Sequence, residues 1–174
     1  MNERAQIIEV ARSLCGGTVN NLEEVSGAGN HRVYRVDVGS GARFALKTYF
    51  SGGHDGGARL SAEFEGLSYL WGEGLRTIPE PMAADRDAQC ALFGWIDGEA
   101  VKKPTSADID AASDFVRSLR DIGRQDAAKD LPLAREACLS AEELYRQIVS
   151  RRALLERESA FRGDLSQFLR DSFD

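Results

Sequence analysis

Lys47 has the position that most demands a chemical explanation, because it lies inside the apolar segment "FALKTYF". An ammonium group there is costly unless it reaches water, a carboxylate or an anionic ligand. Side chains of a strand alternate between two faces, so Ala45 and Lys47 share one face and Leu46 lies on the other. This face suits a flat base over Ala45 and phosphates near Lys47. Taken alone, Lys47 fits better with an edge or exposed strand from which a lysine extends into water.

Glu63 is the candidate partner of this lysine. Leu60, Phe64, Leu67 and Trp71 recur at helical spacing and predict a helix over residues 58–72 with one apolar stripe. At about 100° per residue, Glu63 falls at the border of that stripe, from where its carboxylate can reach across to a sheet. An ordinary boundary glutamate would occupy the same position.

A glycine-containing hairpin, "VSGAGNHRVYRV", precedes the strand that carries the lysine. Gly27 and Gly29 would allow close approach of the backbone to a phosphate, although such glycines are also common in turns of no chemical interest. Asn30 and His31 lie at the predicted tip. Because this hairpin lies directly before the strand that carries Lys47, its position favours a loop that covers a nucleotide.

The elements that must position these residues follow from the hydrophobic periodicity. A short helix over residues 4–15 is followed by three strands between residues 18 and 50, and a polar turn at "DRDA" separates an extended segment from a buried strand over residues 90–96. The sequence therefore predicts an α+β fold: a five-stranded antiparallel sheet with one inserted helix, preceded by a short helix and followed by a helical segment.

The rest of the chain is predicted to be helical from about residue 105, with a break around Pro132. Ser140 and Glu143 form a capping-box pattern, and "DLSQFLRDSF" predicts a last short helix. We expect two domains, residues 1–101 and residues 102–174.

The order of the glycine hairpin, "FALK", the helix with Glu63, "IPEPMAAD" and "CALFGWIDGEAV" resembles the N-terminal lobe of the aminoglycoside phosphotransferase and choline kinase-like family, relatives of protein kinases. The resemblance covers about residues 20–101. It implies that Lys47 pairs with the α- and β-phosphates of ATP, or of another nucleoside triphosphate, and is held by an ion pair with Glu63.

The resemblance also implies the remaining nucleotide contacts. Val33 would form an apolar wall for the adenine, and "LFGWIDG" would be the hinge, where the Gly94 carbonyl accepts from the exocyclic amine and the Ile96 amide donates to the ring. The full set of expected nucleotide-binding residues is Gly27, Gly29, Asn30, Val33, Ala45, Lys47, Glu63, Phe93, Gly94 and Ile96.

The catalytic centre of that family lies in a second lobe, in a His-Gly-Asp segment followed by an Asn and later by a metal-binding Asp. The nearest match here is "FRGDLSQFL", where Arg162 replaces the His and Leu169 replaces the Asn, so Asp164 is predicted to be a helix cap. We therefore expect no catalytic or metal-binding residue in this chain. Mg²⁺ is expected only with the missing lobe, and the chain is expected to be an inactive fragment or a natural truncation.

Other phosphate-binding motifs do not fit. A dinucleotide fingerprint needs glycine where Arg32 stands and a helix where a strand follows, and the Gly-Lys-Ser/Thr of a P-loop is absent.

Composition narrows the classes of partner. A formal net charge of −6 and a pI near 5.1 disfavour nucleic acid and anionic membranes. The N-terminus resembles neither a signal peptide nor a membrane span, so a cytoplasmic location is expected. The three cysteines, Cys15, Cys90 and Cys138, fit neither a disulfide framework nor a zinc site and are expected to be reduced packing residues.

The expected function is thus that of the nucleotide-binding lobe of an ATP-dependent phosphotransferase acting on a hydroxyl of a small molecule, of the aminoglycoside or choline-like class. The alternative is a non-catalytic kinase-like module with a regulatory or interaction role. In that alternative, the ion pair of Lys47 and Glu63 contributes only modestly to stability, and the hairpin is only a turn. The acceptor and the oligomeric state stay open.

Overall fold

The computed structural model of the chain describes residues 3–28, 31–49, 56–132, 140–157 and 167. The elements, in chain order, are α1 (Glu3–Cys15), β1 (Val19–Ala28), β2 (His31–Val38), β3 (Arg43–Tyr49), α2 (Gly56–Gly72), β4 (Pro81–Asp85), β5 (Cys90–Gly94), α3 (Ser106–Ile122), a 3₁₀ helix (Asp126–Asp130) and α4 (Ala141–Arg157).

The chain divides into two compact units, Met1–Arg135 and Glu136–Asp174. The second unit contains α4, whose first turn is capped where the Ser140 hydroxyl accepts from the Glu143 amide at 3.1 Å. The predicted domain boundary after residue 101 stays a prediction. Cys138, Asp164 and the predicted last helix, apart from residue 167, lie outside the described residues.

The sheet of the first unit has the order β1-β2-β3-β5-β4, and all neighbouring strands are antiparallel. The predicted α+β class, with one helix inserted between the third and fourth strands of the sequence, is confirmed. This class could be predicted because apolar and polar residues alternate with period two in the first three strands, whereas the apolar residues of α2 recur at helical spacing.

The two faces of the sheet carry two separate cores. On one face, α1 packs on buried residues that include Val36, Leu46 and Leu92. On the other face, Leu60 of α2 packs on Tyr49, Ala91 and Phe93. The alternation along β3 and β5 therefore assigns each side chain to one of two environments, and it places Ala45 on the α2 face.

Two boundaries differ from the prediction. Helix α2 begins at Gly56 rather than at residue 58, because the helix includes two glycines whose weak propensity predicts a later start. Strand β5 ends at Gly94 rather than at Ile96. The Gly94 amide still donates to the Glu80 carbonyl at 2.7 Å and the Trp95 amide to the Arg43 carbonyl at 3.4 Å, but pairing stops there.

Candidate functional site

Lys47 and Glu63 form an ion pair that joins the central strand β3 to helix α2. The Lys47 Nζ lies 2.6 Å from Glu63 Oε2 and 2.8 Å from Glu63 Oε1. The side chains are 19% and 36% exposed, so the pair is partly shielded from water. Charge-assisted bonds of this length are among the stronger protein hydrogen bonds. Since an ammonium has three N–H donors, one remains for a further acceptor.

The strand register brings three of the predicted residues to the same face as this pair. Val33 of β2 lies directly opposite Lys47, and Ala45 lies directly opposite Phe93 of β5. Directly opposed residues of an antiparallel sheet point to the same side. Val33 and Ala45 thus offer small and apolar side chains beside the ammonium group, whereas Phe93 is only 4% exposed and packs in the core with Leu60 of α2. Their part in nucleotide binding stays a prediction.

The glycine hairpin is almost wholly β-structure. Pairing continues through Gly27 opposite Arg32 to Ala28 opposite His31, with a register shift between Glu24 and Ser26. The described part of the predicted covering loop is therefore an extended two-stranded hairpin, and its remaining residues are Gly29 and Asn30. Those two predicted contact residues lie outside the described residues.

The predicted hinge follows the end of β5. Ile96 is 56% exposed, and its amide has no hydrogen-bond partner among the residues that the structure describes. A free amide at this position is able to donate to a ligand. Gly94 lies close to Glu80: a Cβ added at Gly94 would lie 3.3 Å from the Glu80 Cβ. Gly94 thus allows β5 to lie close to the start of β4, because a side chain at this position would crowd Glu80.

Sequence reasoning missed an ion pair that fixes the segment after β5. The Arg43 guanidinium donates to both carboxylate oxygens of Asp97, to Oδ1 at 2.8 Å, and the Trp95 indole N–H donates to the same Oδ1 at 3.1 Å. The hydrogen bonds from Arg43, and then that from Trp95, lower the pKa of Asp97. Arg43 and Asp97 are 54 positions apart, so no local pattern could have indicated the contact.

A second missed feature is a charged network on β1 and β2. Arg35 lies opposite Ala45 on the face of the lysine, 2.9 Å from a Glu23 carboxylate oxygen and 3.2 Å from an Asp37 carboxylate oxygen. Asn21 donates to Asp37 at 3.0 Å. Alternation along β2 puts Arg35 on the face of Val33, but it gives no sign that the charge of Arg35 is balanced within the sheet.

Tyr49 is the third residue that the sequence did not single out. Its ring centroid lies 5.1 Å from the Lys47 Nζ, within the range of a cation–π interaction. Tyr49 is only 5% exposed. Burial, and secondly the negative charge of Glu63, raises the pKa of the phenol. Its position two residues after Lys47 on the same strand could have indicated this contact.

The described residues contain no group of three or more His, Cys, Asp or Glu side chains placed to hold a metal ion. Likewise, none of their helices has the length and apolarity needed to cross a membrane. Cys15 and Cys90 are free thiols.

Comparison with known proteins gives similarities in structure only. No family model matches the chain, and no curated protein matches it. A solved protein from Thermobifida fusca YX-ER1, assigned as a fructosamine-3-kinase, is 22% identical with a TM-score of 0.47, and the match covers 70% of this chain and 38% of that one. The Rio2 kinase–ADP/Mg²⁺–phosphoaspartate complex from Chaetomium thermophilum is 18% identical with a TM-score of 0.47, covering 65% of this chain and 40% of that one.

This chain thus matches two fifths or less of the length of each of these structures. Since TM-scores at this level do not establish a shared fold, we base the functional proposal on the geometry of the sheet and of the Lys47–Glu63 pair.

Proposed function

We propose that residues 1–101 form the nucleotide-binding lobe of an ATP-dependent phosphotransferase. The observation that carries the proposal is the ion pair between Lys47 on β3 and Glu63 on the helix that follows it. In protein kinases a lysine of the third strand pairs with a glutamate of the next helix and with nucleotide phosphates. The strand order β1-β2-β3-β5-β4 places this pair in the middle of the sheet, between the hairpin and the segment after β5.

The residues around the pair fit a nucleoside triphosphate. The small and apolar side chains of Val33 and Ala45 offer a surface for a planar base. The free Ile96 amide is available for a ring nitrogen, and the third N–H of Lys47 is available for a phosphate oxygen. Gly27, Gly29 and Asn30 would cover the phosphates from the hairpin, while Phe93 and Gly94 would line the hinge side.

Mg²⁺ would be held by a second lobe, as the family resemblance implies. The acceptor in the whole protein would be a hydroxyl of a small molecule, of the aminoglycoside or choline-like class. By itself this chain would bind nucleotide without transferring phosphate, because we assign it no catalytic aspartate.

Calorimetric titration of the chain with ATP tests the proposal. We expect binding by the wild type and a loss of at least about tenfold in affinity for Lys47→Ala, since a charge-assisted hydrogen bond contributes about 1.5–3 kcal/mol. The matched control is Arg86→Ala. This variant removes an exposed cation that lies 2.9 Å from Glu65, on the outer side of the helix α2 that carries Glu63.

Equal ATP affinity of the wild type and Lys47→Ala would reject the nucleotide site. A wild type that binds no ATP at millimolar concentration would favour the non-catalytic module, in which the pair serves only to hold α2 on the sheet.

A further inference from the structure

The Tyr49 hydroxyl is a buried polar group without a hydrogen-bond partner among the described residues. A tyrosine is normally buried with its hydroxyl paired, because burial of an unpaired hydroxyl lowers stability. Phenylalanine would fill the same apolar space between Leu60 and Phe93 without this cost. The hydroxyl therefore calls for an explanation that packing does not supply.

The surroundings of Tyr49 connect it to the ion pair. Its ring lies 5.1 Å from the Lys47 ammonium, and the charge of Glu63 acts on its phenol strongly enough to raise the phenol pKa further than burial alone. In the structure, both oxygens of the Glu63 carboxylate accept from Lys47. Each of these oxygens keeps a second acceptor site, so the Tyr49 hydroxyl is a spare donor beside a carboxylate that can still accept a hydrogen bond.

Binding of a phosphate would change this balance. The third N–H of Lys47 can reach one phosphate oxygen without any change, but a lysine that gives two of its three N–H donors to phosphate oxygens must release one oxygen of the Glu63 carboxylate. The released oxygen would then lie in a partly buried place beside a second anion, which is unfavourable without a new donor.

We propose that Tyr49 is a positioning residue for the Lys47–Glu63 pair: its ring supports the ammonium, and its hydroxyl donates to Glu63 when Lys47 turns toward a phosphate. The inference rests on the proposed function and deepens it. Tyr49 acts through Lys47 and Glu63 and does not itself touch the nucleotide.

The test of the hydroxyl uses Tyr49→Phe, which keeps the ring and removes only the oxygen. We expect ATP affinity to fall about tenfold, because a hydrogen bond to a charged group is lost. Affinity for adenosine, which has no phosphate, should stay unchanged, and urea unfolding without ligand should show equal or higher stability. If the hydroxyl had only a structural role, Tyr49→Phe would instead lower the stability and leave the ratio of the ATP and adenosine affinities unchanged.

A double-mutant cycle links the hydroxyl to Glu63. In a Glu63→Gln background, Tyr49→Phe should have no further effect on ATP affinity, because the negative charge that the hydroxyl serves is gone. Unchanged ATP affinity in Tyr49→Phe, an equal loss for adenosine, or a tenfold loss that persists beside Glu63→Gln would each overturn the role of the hydroxyl.

The ring contact is tested without nucleotide by NMR of the Lys47 side chain. We expect its ε-methylene protons to be shifted upfield by the aromatic ring in the wild type and in Tyr49→Phe, and to return to ordinary values in Tyr49→Leu. If Tyr49→Leu does not fold, absence of the upfield shift in the other two proteins still overturns the contact. If the wild type binds no ATP, the proposed function and the role of the hydroxyl both fail, whereas the NMR result decides the ring contact independently.

Discussion

Among the residues that the structure describes, two ion pairs join helix α2 to the rest of its unit. They differ in burial, and this difference predicts how much each contributes to stability. The Lys47 and Glu63 side chains are 19% and 36% exposed, whereas those of Arg86 and Glu65 are 66% and 41% exposed. Exposed pairs contribute about 0.2–1 kcal/mol, and breaking a fully buried pair costs about 3–5 kcal/mol. The partly shielded pair has two short hydrogen bonds and should lie between these limits.

We expect a coupling free energy of about 1–2 kcal/mol for Lys47 and Glu63, and less than about 0.5 kcal/mol for Arg86 and Glu65. Two double-mutant cycles measure these values, one with Lys47→Met and Glu63→Gln and the other with Arg86→Met and Glu65→Gln.

Urea unfolding followed by tryptophan fluorescence is the suitable assay, because both tryptophans of the chain, Trp71 and Trp95, belong to the unit that contains these pairs. Equal coupling energies in the two cycles, or a coupling below about 0.5 kcal/mol for the Lys47 pair, would refute the reasoning from burial.

Three further predictions concern the core beneath α1 and the hinge. Leu46→Ala should lower the free energy of unfolding by about 3 kcal/mol, because Leu46 is 0% exposed; a loss below about 1 kcal/mol in urea unfolding would contradict the described core. Gly94→Ala should cost about 1 kcal/mol in the same assay, since its Cβ would lie 3.3 Å from that of Glu80, and an unchanged stability would show that β4 can move aside. Burial raises the pKa of the Cys90 thiol from 9.0 to about 11. The contribution of the protonated thiol to the stability of the fold is therefore complete below pH 9 and is lost as the pH rises toward 11. Iodoacetamide near pH 8 should accordingly modify the half-buried Cys15 faster than Cys90 in the folded chain, as peptide mapping can show, and equal rates would contradict the burial of Cys90.

Much of the fold could be predicted because periodicity carries the information. The alternation around Lys47 indicated a strand with two different faces, and the apolar stripe of α2 placed Glu63 at its border. Both patterns depend only on neighbouring residues along the chain. The sheet order, by contrast, follows from contacts between distant segments, and no pattern in the sequence predicted it.

The features that the sequence did not reveal depend on long-range geometry. The contact of Arg43 with Asp97 joins residues 54 positions apart, and the end of β5 at Gly94 depends on pairing with Glu80 and Arg43. Tyr49 is intermediate. Its face could be predicted from Lys47, but the proximity of its hydroxyl to a carboxylate required the placement of α2.

Methyl NMR of the chain during titration with ATP tests the central claim most directly, because the two faces of the sheet carry separate methyl groups. The account predicts that ATP shifts the methyl signals of Val33, Ala45 and Ile96 and leaves those of Val36 and Leu46, which face α1, almost unchanged. Absence of any shift at millimolar ATP, or shifts confined to Val36 and Leu46, would contradict a nucleotide site beside the Lys47–Glu63 pair.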